Sequence, residues 1–168
     1  VNKDGKIDVL NGEYWYEAPD WTPHELQPFK DHAKLTQNGL AGYSRVFCCW
    51  AEDLNGDTYA DLIVIDFPGA PCYWMENPGK QLNTAAGQQH WKKHTIWHSA
   101  CNETPLYTDL LGNGKRVLVM GYQPEGKNTA GNEGRMAYFT PDPKDPTAKW
   151  VAHAISDAPT TKPLPYDE

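Results

Sequence analysis

The sequence predicts an all-β fold of short antiparallel strands, and three observations predict it. Fourteen Gly and fourteen Pro are spread along the 168 residues rather than clustered, which divides the chain into short elements and argues against long helices. Between these breakers lie short aromatic or β-branched runs bounded by Gly, Pro, Asn or Asp, as strands are. The third observation is an internal repeat, in which three short words recur in the same order.

The first word is an acidic loop followed by an apolar run. It reads NKDGKIDVL from Asn2, DLNGDTYADLIVI from Asp53 and, in worn form, DLLGNGKRVLVM from Asp109. The second is an aromatic word ending in a turn: EYWYEAPD from Glu13, CYWMENPG from Cys72 and MAYFTPDP from Met136. The third joins Trp, His and an aliphatic residue: WTPHEL from Trp21, WKKHTI from Trp91 and WVAHAI from Trp150. Asp8 and Asp61 stand 53 residues apart, and Asp61 and Val117 stand 56 apart. Such a period suits a four-stranded propeller blade.

Each unit reads as strand, acidic loop, strand, turn, strand, longer loop, strand. Residues 1–26 form a partial blade with a truncated calcium-type loop, because Val1 already lies inside the loop word. Residues 27–43 form an insert between blades. Residues 44–98 form a complete blade, with strands expected near Arg45 to Trp50, Asp61 to Ile65, Cys72 to Glu76 and Trp91 to Trp97. Residues 99–156 form another with a degenerate loop, its strands near Pro105 to Tyr107, Arg116 to Tyr122, Arg135 to Thr140 and Lys149 to Ile155. The Pro-rich residues 157–168 then lead towards a following blade. The expected architecture is a β-propeller segment of about three four-stranded antiparallel blades within a larger propeller, since closure takes about four to eight blades. The remaining blades, or accessory domains of a longer chain, are the implied partners.

Net charge and hydropathy narrow the function classes. A formal charge of -7 and a pI near 5.3 argue against nucleic acid or anionic lipid as partner, both of which need clustered Lys and Arg. No run approaches the roughly 20 apolar residues of a membrane span. The four cysteines, at 48, 49, 72 and 101, lack zinc-ribbon spacing. A bridge between Cys72 and Cys101 and buried free thiols are both open.

The acidic loop has the chemistry of a calcium site. Calcium takes six to eight oxygen ligands, and a loop presenting side chains at positions 1, 3, 5 and 9 with a carbonyl at 7 supplies most of them. In the middle copy these are Asp53, Asn55, Asp57 and Asp61, with the carbonyl of Tyr59. The first copy retains Asn2, Asp4, Asp8 and the carbonyl of Lys6. In the third copy Leu111 and Val117 replace ligands, so no ion is expected there. A metal-free Asx-rich turn is the alternative. An EF-hand needs a Glu at position 12, where Asn11, Val64 and Met120 stand, within strand-like runs. Thr58 holds position 6, where Gly is usual, which predicts local strain.

These words resemble the FG-GAP or VCBS repeat, the blade motif of integrin α-chain propellers and of many secreted proteins. The resemblance covers essentially the whole chain, strongly in two copies and weakly in the third. It implies a propeller with structural Ca2+ between the first two strands of a blade, in an extracellular or periplasmic setting, and does not imply an activity. A narrower set, GYSRVFCCWAEDLNGD, HWKKHTIWHSACNETP and GRMAYFTPDPKDP, is similar to propeller proteins related to aldos-2-ulose dehydratase. That similarity implies a sugar lyase with Zn2+ in a cleft, without assigning ligands in this chain.

In a four-stranded blade the acidic loops lie on one face and the ligand-binding loops on the other. The opposite face would carry DFPGAP from Asp66, GYQPEGKNTAGNEG from Gly121, the insert, and HSACNE from His98. His98 and Glu103 could ligate zinc or serve as base and acid on a sugar. Tyr43, Arg45, Asp66, Asn102 and Gln123 are the candidate ligand contacts. The recurrent His24, His94 and His153 read as structural, and Trp21, Trp91 and Trp150 as packing between blades. A carbohydrate- or protein-binding scaffold therefore ranks above a metal-assisted sugar dehydratase, because no complete catalytic set is visible.

Overall fold

The computed structural model describes residues 1–28, 44–82, 84, 90–101, 103–125 and 135–156. Tyr43 and Asn102, most of the insert, much of the Gly121 loop and the Pro-rich tail lie outside the described residues. The described chain is all-β, with eleven strands: β1 (Val9–Asn11), β2 (Tyr14–Glu17), β3 (Thr22–Glu25), β4 (Cys48–Glu52), β5 (Asp61–Ile65), β6 (Cys72–Glu76), β7 (Lys92–Trp97), β8 (Leu106–Thr108), β9 (Val117–Tyr122), β10 (Arg135–Thr140) and β11 (Val151–Ser156). They form three antiparallel sheets in sequence order, β1-β2-β3, β4-β5-β6-β7 and β8-β9-β10-β11. The single helical element among the described residues is a 3-10 turn at Gly79–Gln81.

The expected strands of the middle and third units are present with small shifts at their ends. The largest concerns β4, expected from Arg45 and observed from Cys48. The segment ahead of it turns instead, because Ser44 Oγ accepts the Val46 amide at 3.1 Å and draws the backbone away from a ladder.

Contacts divide the chain into two compact units. One comprises Val1–Val64 and Trp74–Lys93; the other comprises Ile65–Tyr73 and the described residues from His94 onward. In the first, Trp15, Leu26, Leu62, Ile63, Val64, Trp74, Met75 and Trp91 are buried. Trp15 pairs across the ladder with His24, and the two rings stack at 4.3 Å and 14°. His24 Nε2 lies 2.9 Å from Glu17 Oε2. The second unit repeats this device: Tyr138 pairs with His153, stacks on it at 4.5 Å and 9°, and Thr140 Oγ1 lies 3.0 Å from His153 Nε2. His24 and His153 therefore serve the sheets.

The second unit is centred on an aromatic cluster. Trp97, Tyr122 and Phe139 meet edge to face with centroids 5.3 to 5.6 Å apart, the separation at which ring edges and faces attract. The Trp97 indole N–H donates to the Gln123 carbonyl at 2.8 Å, so the buried ring loses no hydrogen bond. Cys72 is fully buried there, with its Sγ 3.9 Å from Met120 Sδ. All four cysteines are free thiols, and burial pushes that of Cys72 up to about 12, which leaves it unreactive.

Successive sheets are joined by a recurring bond. The Trp91 amide donates to the Leu26 carbonyl at 2.8 Å, and the Trp150 amide donates to the Ile96 carbonyl at 3.3 Å. Both acceptors end the preceding copy of the third word. Trp91 and Trp150 are buried at 5% and 1% exposure, as packing residues should be. Trp21 departs from the expectation: it is 53% exposed. It has φ 57° and lies directly ahead of β3.

Gly12, in the β1-β2 turn, has φ 53°, and a Cβ there would lie 2.1 Å from Val46 Cγ2. Gly12→Ala should therefore cost about 2 kcal/mol or more, from overpacking and left-handed strain together. Chemical denaturation should show Val46→Ala recovering part of that loss, giving a non-additive double-mutant cycle.

Candidate metal centre

The three acidic loops share one backbone conformation. Counting from Asp53 as position 1, position 4 has positive φ in every copy: Lys3 at 61°, Gly56 at 79° and Gly112 at 65°. Position 6 does too, with Gly5 at 85°, Thr58 at 74° and Gly114 at 80°. Left-handed residues at these two points turn successive amides towards the carboxylates. Thr58 thus adopts the conformation that its sequence position predicts to be strained.

The amides are collected by side-chain oxygens. Asp53 accepts the Gly56 and Thr58 amides at 2.8 and 2.9 Å, Asn55 accepts that of Asp57 at 3.0 Å, and Asp57 accepts that of Tyr59 at 2.8 Å. In the first loop Asn2 accepts the Asp4 amide at 3.1 Å and Asp4 that of Lys6 at 2.9 Å. The worn third loop keeps the frame, with Asp109 accepting the Asn113 and Gly114 amides at 3.0 and 2.8 Å and Asn113 that of Lys115 at 3.0 Å. Leu111 and Val117 remove its donors at positions 3 and 9, so the turn persists without the full ligand set.

Position 9 ties the loop to the sheet. Asp61 is fully buried; its Oδ2 accepts the Leu54 amide at 2.9 Å and its Oδ1 accepts the Asn77 amide at 2.9 Å. One carboxylate thus fastens the start of the loop and the end of β6 to the first residue of β5. Burial pushes Asp61 up to about 7 against the lowering pull of the two amides, and the charges of Asp57 and Asp53 add to the rise. Asp8 repeats half of the arrangement, with Oδ1 accepting the Ala18 amide at 2.9 Å.

The donor set of the middle loop is entirely oxygen, the chemistry that calcium takes, and each carboxylate oxygen that receives one amide keeps a lone pair. Among the described residues, however, no three or more His, Cys, Asp or Glu side chains are gathered closely enough to hold a metal ion. The geometry shown is a hydrogen-bonded Asx frame with a buried acid at its base.

Two residues of this region escaped the sequence reading. Asn77 donates through Nδ2 to the Ala60 carbonyl at 3.0 Å and accepts the Gly79 amide at 2.9 Å, which locks the turn after β6 under the loop. Its signal was the aromatic word, where Asn77 aligns with Ala18. Lys3 links the first loop to the second, donating to Thr58 Oγ1 and lying 4.1 Å over the Tyr59 ring. That contact spans two repeats and leaves no local pattern.

The candidates in the other loops lie apart from the acidic loops in the sequence. His98 is half-buried with its ring tilted against Trp97, and Glu103 is exposed. Arg45 and Asp66 are half-buried, and Asp66 Oδ1 accepts the Phe67 amide at 2.6 Å. Gln123 is buried at 1% exposure, and its backbone receives Trp97 and donates to the Ser99 carbonyl. No protein-family model matches the chain, and no curated protein or solved structure matches it significantly.

Two outcomes follow for the metal-free chain. Thr58→Gly should raise stability by about 1 kcal/mol by relieving the left-handed strain, read as a higher denaturant midpoint. In chelator, folded Asp61 retains a proton between pH 4 and 7 that the unfolded chain has released. Stability should therefore fall as pH rises through that window and level off above it. Asp61→Asn should flatten the profile while costing about 1–3 kcal/mol, since its Nδ2 would face an amide donor.

Proposed function

We propose that the chain is a calcium-stabilised segment of an FG-GAP or VCBS-type β-propeller, whose stacked sheets serve as a scaffold for binding carbohydrate or protein outside the cytoplasm. Asp53, Asn55, Asp57, Asp61 and the Tyr59 carbonyl would hold the ion. It would act as a cross-link between β4 and β5, without a role in chemistry.

The observation that supports this reading is Asp61: a fully buried carboxyl at position 9 of a loop whose other ligand positions all offer oxygen, with its titration pushed up to about 7 by burial and by the charges of Asp57 and Asp53. Such a group needs either a proton or a cation, and a hard divalent cation suits oxygen donors at neutral pH. The repeated loop conformation supports a blade motif, and the joints between successive sheets support a stack of blades. Extracellular calcium modules bind at roughly 10⁻⁴ to 10⁻³ M, a range compatible with the strained Thr58. The sugar-lyase reading lacks the support of a repeated loop conformation; among the described residues a gathered metal-holding group is found neither at His98 and Glu103 nor at the acidic loops.

Thermal unfolding in calcium and in chelator tests this proposal. Calcium at ten times its Kd should add about 1.4 kcal/mol, several degrees of melting temperature for a domain of this size. Asp57→Ala should remove that increment while changing the melt in chelator little. Identical melting of the unmutated chain with and without calcium would sink the assignment.

A further inference from the structure

Six residues occupy the left-handed positions 4 and 6 of the three acidic loops, and four of them are glycine: Gly5, Gly56, Gly112 and Gly114. The other two are Lys3 at position 4 of the first loop, with φ 61°, and Thr58 at position 6 of the second, with φ 74°. A side chain in that region crowds its own backbone, and glycine would remove the cost. The third loop keeps the same turn with glycine at both positions.

The two exceptions touch each other. The Lys3 ammonium donates to the Thr58 hydroxyl, and it lies 4.1 Å over the ring of Tyr59, the next residue of the second loop. The turn after β6 closes on the same residue: a Cβ at Gly79 would lie 3.3 Å from Tyr59 Cδ2 and 3.4 Å from Asp57 Oδ2. Asn77 fixes that turn by accepting the Gly79 amide at 2.9 Å. Left-handed side chains thus stand where the first loop meets the second, and glycine stands at the other four positions.

Strain kept at the two positions that meet points from the outlier to a role. We infer that Lys3 and Thr58 form a latch that makes the first and second acidic loops open and close as one unit. Opening the second loop withdraws the Thr58 hydroxyl and the Tyr59 ring from Lys3; opening the first withdraws the ammonium from both. Each loop loses a partner when the other opens, and that shared loss is a coupling free energy between them. The third loop, with glycine at both positions, has no side chain to offer such a latch. The latch uses no ion and stands apart from the calcium reading. Under that reading, an ion held by the second loop would steady the first through the same contact.

Amide hydrogen exchange of the 168-residue chain in chelator, read residue by residue by NMR, tests it, each variant being made in one loop and read in the other. The reporters are amides accepted by side chains of their own loop: Asp4 and Lys6 in the first, Gly56, Asp57, Thr58 and Tyr59 in the second, Asn113, Gly114 and Lys115 in the third. Lys3→Met keeps the side-chain stem and should lower protection in the second loop about threefold to tenfold, as loss of an exposed hydrogen bond and a cation–π contact would. Thr58→Ala should lower protection of Asp4 and Lys6 about threefold, whereas Thr58→Ser, which keeps the hydroxyl, should not. On top of Lys3→Met, Thr58→Ala should have no further effect on Asp4 and Lys6, since the latch is already gone. The third loop should be unchanged throughout. Effects confined to the mutated loop would overturn the inference, as would losses shared equally by the third loop, or a loss with Thr58→Ser as large as with Thr58→Ala. Exchange of either loop at the free-chain rate in the unmutated protein would overturn it too. Melting with and without calcium, recorded on the same samples, separates the two readings: uncoupled loops in a chain that still melts higher in calcium would overturn the latch alone.

Discussion

A carboxyl group buried in a sheet must be satisfied on both oxygens, and the placement of Asp61 shows how this chain meets that demand. Its two oxygens take amides from opposite directions in sequence, Leu54 before β5 and Asn77 after β6. The loop therefore starts where the sheet ends, and the strands are held in register by a side chain as well as by the ladder. Asp8 does the same for β1 and β2 through Ala18. In the third unit the position is Val117, 3% exposed, so apolar burial replaces the clamp while Asp109 keeps the turn. One fold position accepts either a satisfied acid or a hydrocarbon.

Stacking depends on a different economy. Sheets rich in Trp, Tyr and His bury large flat groups, and here each histidine of the first and third sheets lies flat on the aromatic ring across its ladder while its Nε2 meets Glu17 or Thr140. A polar edge and an apolar face are thereby both used. The joint between sheets adds a main-chain bond from Trp to the preceding word. The same bond occurs at Trp91 with Leu26 and at Trp150 with Ile96.

Much of the fold was legible because the repeat carries its own punctuation. The words Asp61 to Ile65 and Cys72 to Glu76 are short, apolar and bounded by breakers, and both are strands with those limits. The start of β4 was not legible, since the Ser44 hydroxyl competes for the Val46 amide, and a hydroxyl in a run of strand-forming residues gives no warning of that. The acidic loop was readable as a turn of defined conformation, Thr58 included. Asn77 and Lys3 were not, because their roles consist of contacts across 17 and 55 residues. Trp21 is exposed in this chain where the equivalent Trp91 and Trp150 are buried, a difference that the shared word does not carry.

The sequence by itself determined the all-β class, the order of the strands and the turn conformation of the acidic loops, because spacing and local propensity act over a few residues. The tertiary structure alone decided which copy of an identical word is buried. Trp91 and Trp150 are covered and Trp21 is not; Leu26 and Ile96 are covered and Ile155 is not. Burial belongs to the neighbour as much as to the residue, and a short word does not name its neighbour. For the same reason the sequence could place acids at Asp53, Asp57 and Asp61 but could not say that the last of them would be fully buried and pushed up to about 7.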